Sequence, residues 1–347
     1  MAEELNERSQ NILEAIVEDY ISSAEPVGSR AITKRHSFNL SPASVRNVMS
    51  DLEDMGFLCS PHTSAGRIPT EKGFHYYIDS LLQVRNLSKQ EEARLRKSYR
   101  FKGMKMEDVM QEVGRVMSGL SNYTGLVMAP KFASTVFRQI EFVRLSHGRL
   151  LVIYVSETGL VQNKVIEGAP DLDQRELEQI SNYLNHELNG MNIHDVREKI
   201  ARELKTERSR FDQLRKQALS LSSEALKNED AEDLVFVSGT SLMLNQPEFS
   251  TPDQMKRIIQ TLESKKTLIE LLDRGQAADG VQIFIGSQSQ HAEIEGCSLV
   301  TSSFSNKKGA IGTLGVIGPV RMPYSQVIPI VEFTAQLVSR ILEREAE

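Results

Sequence analysis

Ala43, Ser44, Arg46, Asn47 and Ser50 form the cluster in this chain whose residue types and spacing point to chemistry. That chemistry is recognition, not bond-making. Arginine and asparagine can each form paired hydrogen bonds with a base edge, serine can bond a base or a phosphate, and alanine allows close approach. All five fall within SPASVRNVMSDLEDMG (41–56), and none is acidic. In the same stretch Val45, Val48, Met49, Leu52 and Met55 recur at i, i+3, i+4, i+7 and i+10, the spacing of one apolar helix stripe. Ser41 can cap the start, Pro42 fits the first helical position, and Gly56 suits a left-handed stop. A helix with Ser, Arg and Asn outside is most often an ordinary solvated one, so the neighbouring elements decide.

Upstream, Ile12, Leu13, Ile16, Val17, Tyr20 and Ile21 predict a first amphipathic helix. A short second helix is expected from Ser29 to about His36, with Ile32 inward and Arg30, Lys34 and Arg35 outward. Downstream, Phe57-Leu58-Cys59 alternates like a strand, Pro61 to Gly66 makes a polar tip, and Arg67-Ile68-Pro69 returns. Thr70 can then cap a helix carrying Phe74, Tyr77, Ile78, Leu81 and Leu82. Helix, helix, turn, helix, hairpin is the order of a winged helix-turn-helix, whose third helix enters the major groove of double-stranded DNA. The expected DNA contacts are Arg30, Lys34, Ser41, Ala43, Ser44, Arg46, Asn47 and Ser50, with His62, Thr63, Ser64 and Arg67 on the hairpin, or wing.

Charge places a condition on this reading. The chain carries a net charge of −6, and residues 1–80 hold seven Lys/Arg against twelve Asp/Glu. The acids are segregated, however, and none occurs from Pro26 to Ser50. Such a small basic footprint predicts weak binding by one copy and a dimer reading two half-sites.

A chain of 347 residues has room for two or three domains. It has no apolar run long enough to span a membrane, and MAEELNERSQ lacks an apolar signal core, so a cytoplasmic location is expected. Cys59 and Cys297 read as reduced thiols. The segment from Gln83 to Lys105 is charge-dense and reads as a solvated linker helix, with a phosphate-touching strap as the sharper reading. An amphipathic helix follows, with Met106, Val109, Met110, Val113, Val116, Met117 and Leu120 on one side. Strands are expected at Val136–Leu145, Leu150–Ser156, Leu160–Ile166, Val281–Ile285, Ser298–Phe304 and Ala310–Ile317, before a final helix from about Ser325. This suggests one antiparallel α+β domain split by a mainly helical insertion from about Asp171 to Arg274. That insertion contains the short strand Val235–Val237, a closing helix with Met255, Ile258, Ile259, Leu262, Ile269 and Leu272, and a heptad-like seam, Leu204, Phe211, Leu214, Ala218, Leu221 and Ala225.

Catalysis is not expected. None of the seven histidines stands at metal-ligand spacing with another His or with Cys, and no nucleophile elbow, P-loop or HExxH occurs. GTLGVIG (312–318) lacks the Lys-Ser/Thr pair of a phosphate loop, so its glycines read as close-packing positions. No cofactor or metal is expected.

EPVGS (25–29), LSPASVRN (40–47), LEDMGFL (52–58), SPHTSAGRIPT (60–70) and GTLGVIGPVRMPY (312–324) resemble the motifs of the heat-inducible transcription repressors of the HrcA type. Ser60 stands where that family most often has Gln. The resemblance implies a winged helix-turn-helix at 1–82, a charged linker helix at 83–104, and a GAF-like domain in two parts, 105–170 and 275–347. An inserted dimerising domain at 171–274 would split them. It further implies a homodimer bound to an inverted-repeat operator (CIRCE) ahead of chaperonin and DnaK operons, with the GroEL chaperonin as the partner that tunes activity. The alternative is a small-molecule-responsive repressor whose GAF-like pocket, near Ser287, Gln288, Ser302 and Ser303, gates DNA binding.

Overall fold

The computed structural model describes residues 5–38, 40–62, 66–84, 87–99, 106–129, 136–146, 148–157, 161–167, 172–192, 195–196, 198–200, 202, 218–223, 234–276, 280–286, 296–305 and 311–345. Three helices open the chain: α1 (Glu7–Ser23), α2 (Ser29–Arg35) and α3 (Pro42–Asp54). A two-stranded hairpin follows, β1 (Leu58–Cys59) with β2 (Ile68–Pro69), in the antiparallel register Leu58 to Pro69 and Cys59 to Ile68. Helix α4 (Glu71–Tyr76) runs on into a π-helical turn, Tyr77–Leu81. The apolar stripes meet as expected: Ile12, Leu13, Ile16, Val17, Ile32, Val45 and Leu52 are wholly buried, and Phe57, Leu58, Phe74 and Tyr77 close the same core.

The charged linker forms α5 (Lys89–Ser98), started by a capping box between Ser88 and Glu91. It is not merely solvated. Leu95 and Tyr99 are buried, and the Tyr99 hydroxyl lies 2.8 Å from Thr334 Oγ1 on the last helix. The basic residues Arg85, Arg100, Lys102 and Lys105 lie outside the described residues.

Beyond the linker, α6 (Met106–Ser121) leads into β3 (Thr124–Met128), a strand the sequence reading did not identify. Then come β4 (Phe137–Arg144), β5 (Leu150–Ser156), β6 (Val161–Ile166), α7 (Gln174–Leu188) and β7 (Val235–Ser238). The chain continues through α8 (Thr240–Leu244), a 3₁₀ turn at Pro247–Phe249, α9 (Pro252–Glu263) and α10 (Lys265–Gln276), and closes with β8 (Val281–Ile285), β9 (Cys297–Ser305), β10 (Ile311–Pro319) and α11 (Tyr324–Glu345). Two sheets result. The larger is fully antiparallel, in the order β7-β3-β10-β9-β8, and the smaller is β4-β5-β6.

This pairing corrects the expected partition of strands. The strands over 136–166 were expected in one antiparallel α+β domain with those over 281–317, but they pair only with one another, in a separate sheet. Their inward residues Phe137, Ile140, Phe142, Val152 and Tyr154 share a separate core with Leu177, Ile180, Leu184 and Leu188 of α7. Val235–Ser238 is not interior to the insertion either; it joins the large sheet beside β3. Likewise α9 and α10 pack on that sheet, with Ile258, Leu262, Leu268 and Leu272 against Leu126, Met128, Leu299 and Ile317. The segment interrupting the large sheet therefore lies between β3 and β7. Of the heptad seam, Ala218 and Leu221 are buried in the smaller core, and Leu204, Phe211, Leu214 and Ala225 lie outside the described residues.

The large sheet is covered on both faces. Alternate residues of its strands, Val127, Val300, Leu314 and Val316, face α6 and α11 in a core continuous with that of the N-terminal module. No helix of the described residues is long and apolar enough to cross a membrane.

Candidate nucleic-acid interface

Helix α3 is built at both ends as its sequence demands. Ser41 Oγ accepts from the Ser44 amide at 3.1 Å and lies 3.0 Å from the Ser44 hydroxyl, so these two serines serve the cap. At the far end Gly56 takes φ +77°, and the Phe57 amide returns to the Leu52 carbonyl at 2.8 Å. With Val45, Val48, Met49 and Leu52 buried, Ala43, Arg46, Asn47 and Ser50 are left exposed on the opposite side. Ser44 is half-buried.

Arg30 and Lys34 stand exposed on α2. Arg35, next in line, is tied down: its Nη1 donates to Asp19 Oδ2 at 3.0 Å, and His36 Nε2 lies 3.3 Å from the other oxygen of that carboxylate. A further cation, Arg8, was not expected from sequence. Arg8 is exposed on α1, and its Nη2 donates to the Ser44 carbonyl at 3.3 Å, beside the start of α3. Its acidic surroundings in the chain, with Glu3, Glu4 and Glu7 nearby, masked it.

The hairpin corrects one expectation. Arg67 was expected to be a free cation for phosphate, but its guanidinium is already engaged. Nε and Nη2 both donate to Glu53 Oε2 at 2.7 Å, and Nη1 donates to Ser60 Oγ at 3.3 Å. Glu53 sits in the last turns of α3, so Arg67 ties the base of the hairpin to that helix. Its backbone also exchanges two 2.9 Å hydrogen bonds with Val27, adding a third extended segment beside the hairpin. Gly66 allows this approach, since a Cβ there would run into the Val27 backbone. Ser60 Oγ donates to the His62 carbonyl at 2.8 Å, and the His62 side chain is exposed at the tip. Thr63 and Ser64 lie outside the described residues.

The structure thus brings Ala43, Arg46, Asn47 and Ser50 onto one exposed face beside Arg8, with the α2 cations Arg30 and Lys34 on the helix packed against α3. It takes Arg67 out of the set of free donors. No acidic residue interrupts α2, the turn or the first turns of α3. Such an arrangement can hydrogen-bond base edges and pair with phosphates. It offers no nucleophile with a base beside it, and among the described residues no group of three His, Cys, Asp or Glu could hold a metal ion.

Residues 107–328 match the family model described as the HrcA protein C terminal domain. A heat-inducible transcription repressor HrcA of Geobacter sulfurreducens is 49% identical over 342 residues, covering 99% of each chain. The chain belongs to the HrcA family of heat-inducible transcription repressors. It is a transcription repressor and not an enzyme. A second HrcA, from Syntrophobacter fumaroxidans, is 41% identical over 345 residues, again across 99% of each chain. Among solved structures, a crystal structure of a hypothetical protein aligns with TM-score 0.63 at 23% identity, over 99% of this chain and 100% of that one. That likeness supports the mixed α+β, multi-sheet fold of this HrcA-family chain.

Of the residues nominated for an effector pocket, only Ser302 and Ser303 are among the described ones. Ser302 is buried within β9, Ser303 is half-buried, and Ser287 and Gln288 lie outside the described residues. A cleft of about 660 Å³ lies elsewhere, where Tyr20 and Phe74 of the N-terminal module face Phe249, Ile258 and Arg321.

Proposed function

We propose that residues 1–82 are a winged helix-turn-helix whose α3 enters the major groove of an inverted-repeat operator of the CIRCE type, ahead of chaperonin and DnaK operons. One observation carries this reading: α3 buries Val45, Val48, Met49 and Leu52 and leaves Ala43, Arg46, Asn47 and Ser50 exposed beside Arg8. Arg46 and Asn47 read bases, Arg30 and Lys34 contact phosphates, and His62 with its neighbours follows the backbone from the wing. Working on chromosomal DNA, the repressor acts in the cytoplasm.

The repressor works as a homodimer. Support comes from the outer face of the small sheet, where Val143, Leu151 and Val165 form one cross-strand row and Val155 with Val161 another. Val143, Val161 and Val165 are 37%, 51% and 45% exposed, and a second copy of the chain covers them. In this reading the large sheet is the GAF-like domain of the family pattern, and the insertion that carries the small sheet is its dimerising domain.

GroEL tunes the active fraction. The reading rests on family membership and on chain order, since β3 pairs with β10, for example Met128 with Thr313, across the whole insertion. Contacts so distant in sequence form slowly and leave apolar surface open meanwhile. DNase footprinting of the organism's own chaperonin promoter tests the proposal. A protected inverted repeat, strengthened when the repressor is refolded with GroEL, is expected. Equal affinity for that promoter and for unrelated duplex would contradict it.

A further inference from the structure

Helix α1 has no basic residue in its last turn, where the final carbonyls lack amide partners. One of them is satisfied from 300 positions away: Arg321 Nη1 donates to the Ile21 carbonyl at 3.3 Å. The rest of the guanidinium is held from the sheet module. Nε and Nη2 pair with the two carboxylate oxygens of Glu248, and Nη2 also donates to Gln246 Oε1 at 3.1 Å. The Arg321 side chain is only 12% exposed and that of Glu248 25%.

Both platforms behind this contact are packed and hydrogen-bonded. Arg321 stands between Val320, whose carbonyl accepts from the buried Tyr324 hydroxyl at 2.6 Å, and Met322, which is fully buried. Glu248 lies in the 3₁₀ turn anchored by buried Phe249. On the other side, α1 is not a passive strut. Its Ile12, Leu13, Ile16 and Val17 share a core with Val45, Val48, Met49 and Leu52 of α3, and its Arg8 holds the Ser44 carbonyl.

We propose that Arg321 is a positioning residue for operator binding: by capping α1 from the sheet module, it fixes the direction in which the α3 face points and so sets the half-site spacing a dimer accepts. A cation at a helix C-terminus is favoured by the unpaired carbonyls, and the bidentate Glu248 pairing fixes the angle at which it is offered. The inference rests on the operator-binding reading above. Arg321 touches no DNA in this scheme.

The experiment compares full-length wild type, Arg321→Met and the double variant Arg321→Met/Glu248→Met, which removes both charges so that no unpaired carboxylate burdens the fold. Affinity is measured by fluorescence anisotropy for the natural operator, for one with altered spacing, and for a single half-site. Both variants should lose about tenfold on the natural operator, hold the half-site within about twofold, and discriminate less between spacings. Spin labels at Glu18→Cys and Lys256→Cys, both exposed and away from the proposed DNA face, with Cys59→Ser, give a readout without DNA. The distance distribution should be narrow in the parent and broad in both variants. The proposal is overturned if the double variant keeps the natural operator affinity, if half-site and operator affinities fall equally, or if the distance distribution is unchanged. A parent that shows the narrow distance but ignores the operator would remove the operator reading and leave the interdomain tie standing.

Discussion

Arg46 and Arg67 are both arginines of the proposed interface, but they differ in what already binds them. Arg67 spends its guanidinium on Glu53 and Ser60, whereas Arg30 and Lys34 stand exposed. Each phosphate contact steepens the dependence of affinity on salt. Arg30→Ala and Lys34→Ala should therefore each lower the slope of log affinity against log salt by about one, while Arg67→Ala should leave that slope unchanged. Loss of slope only in Arg67→Ala would reverse these assignments. The two cysteines offer a second test at this scale. Burial pushes the Cys297 thiol up to about 12, while Cys59 is only half-buried, its thiol raised by burial and by Glu53. A thiol reagent should label Cys59 in the folded protein and reach Cys297 only on unfolding. Residue identities were readable from sequence, but residue partners were not: the Arg67–Glu53 pairing spans 14 positions, and no local pattern announces it.

At the scale of elements, capping and close approach do most of the shaping. Ser41→Ala removes the acceptor for the Ser44 amide and should cost about 0.5–2 kcal/mol in denaturant unfolding. Gly66→Ala forces the hairpin base off Val27, so a loss of operator affinity with α3 intact is expected; unchanged affinity would mean the wing contributes nothing. Where a local signal existed, the sequence was legible. Ser41, Pro42 and Gly56 marked the ends of α3, and the helix order of the N-terminal module followed from period alone. Strand β3 was missed because Thr124–Met128 is buried along its whole length and so lacks the alternation of a half-exposed strand. The division into two sheets was missed for a related reason: alternation shows that a strand has one buried face but not which sheet buries it.

At the scale of the molecule, the small sheet leaves valines at the surface while its other face is sealed by α7. Val161→Glu combined with Val165→Glu should convert the proposed dimer to monomer in sedimentation velocity at micromolar concentration. A monomeric wild type would contradict the dimer outright. Membership of the repressor family was carried by long motif runs at both ends of the chain, whereas the tie between them was invisible there. Nothing near Ile21 or Arg321 in sequence states that one caps the other.

In the proposed function, the exposed face of α3 reads base sequence. Its most direct test is the affinity of Arg46→Ala for the inverted-repeat operator and for unrelated duplex at one salt concentration. The variant should lose about 1–3 kcal/mol on the operator and little on unrelated DNA. Equal losses on both duplexes, or no loss on either, would contradict it.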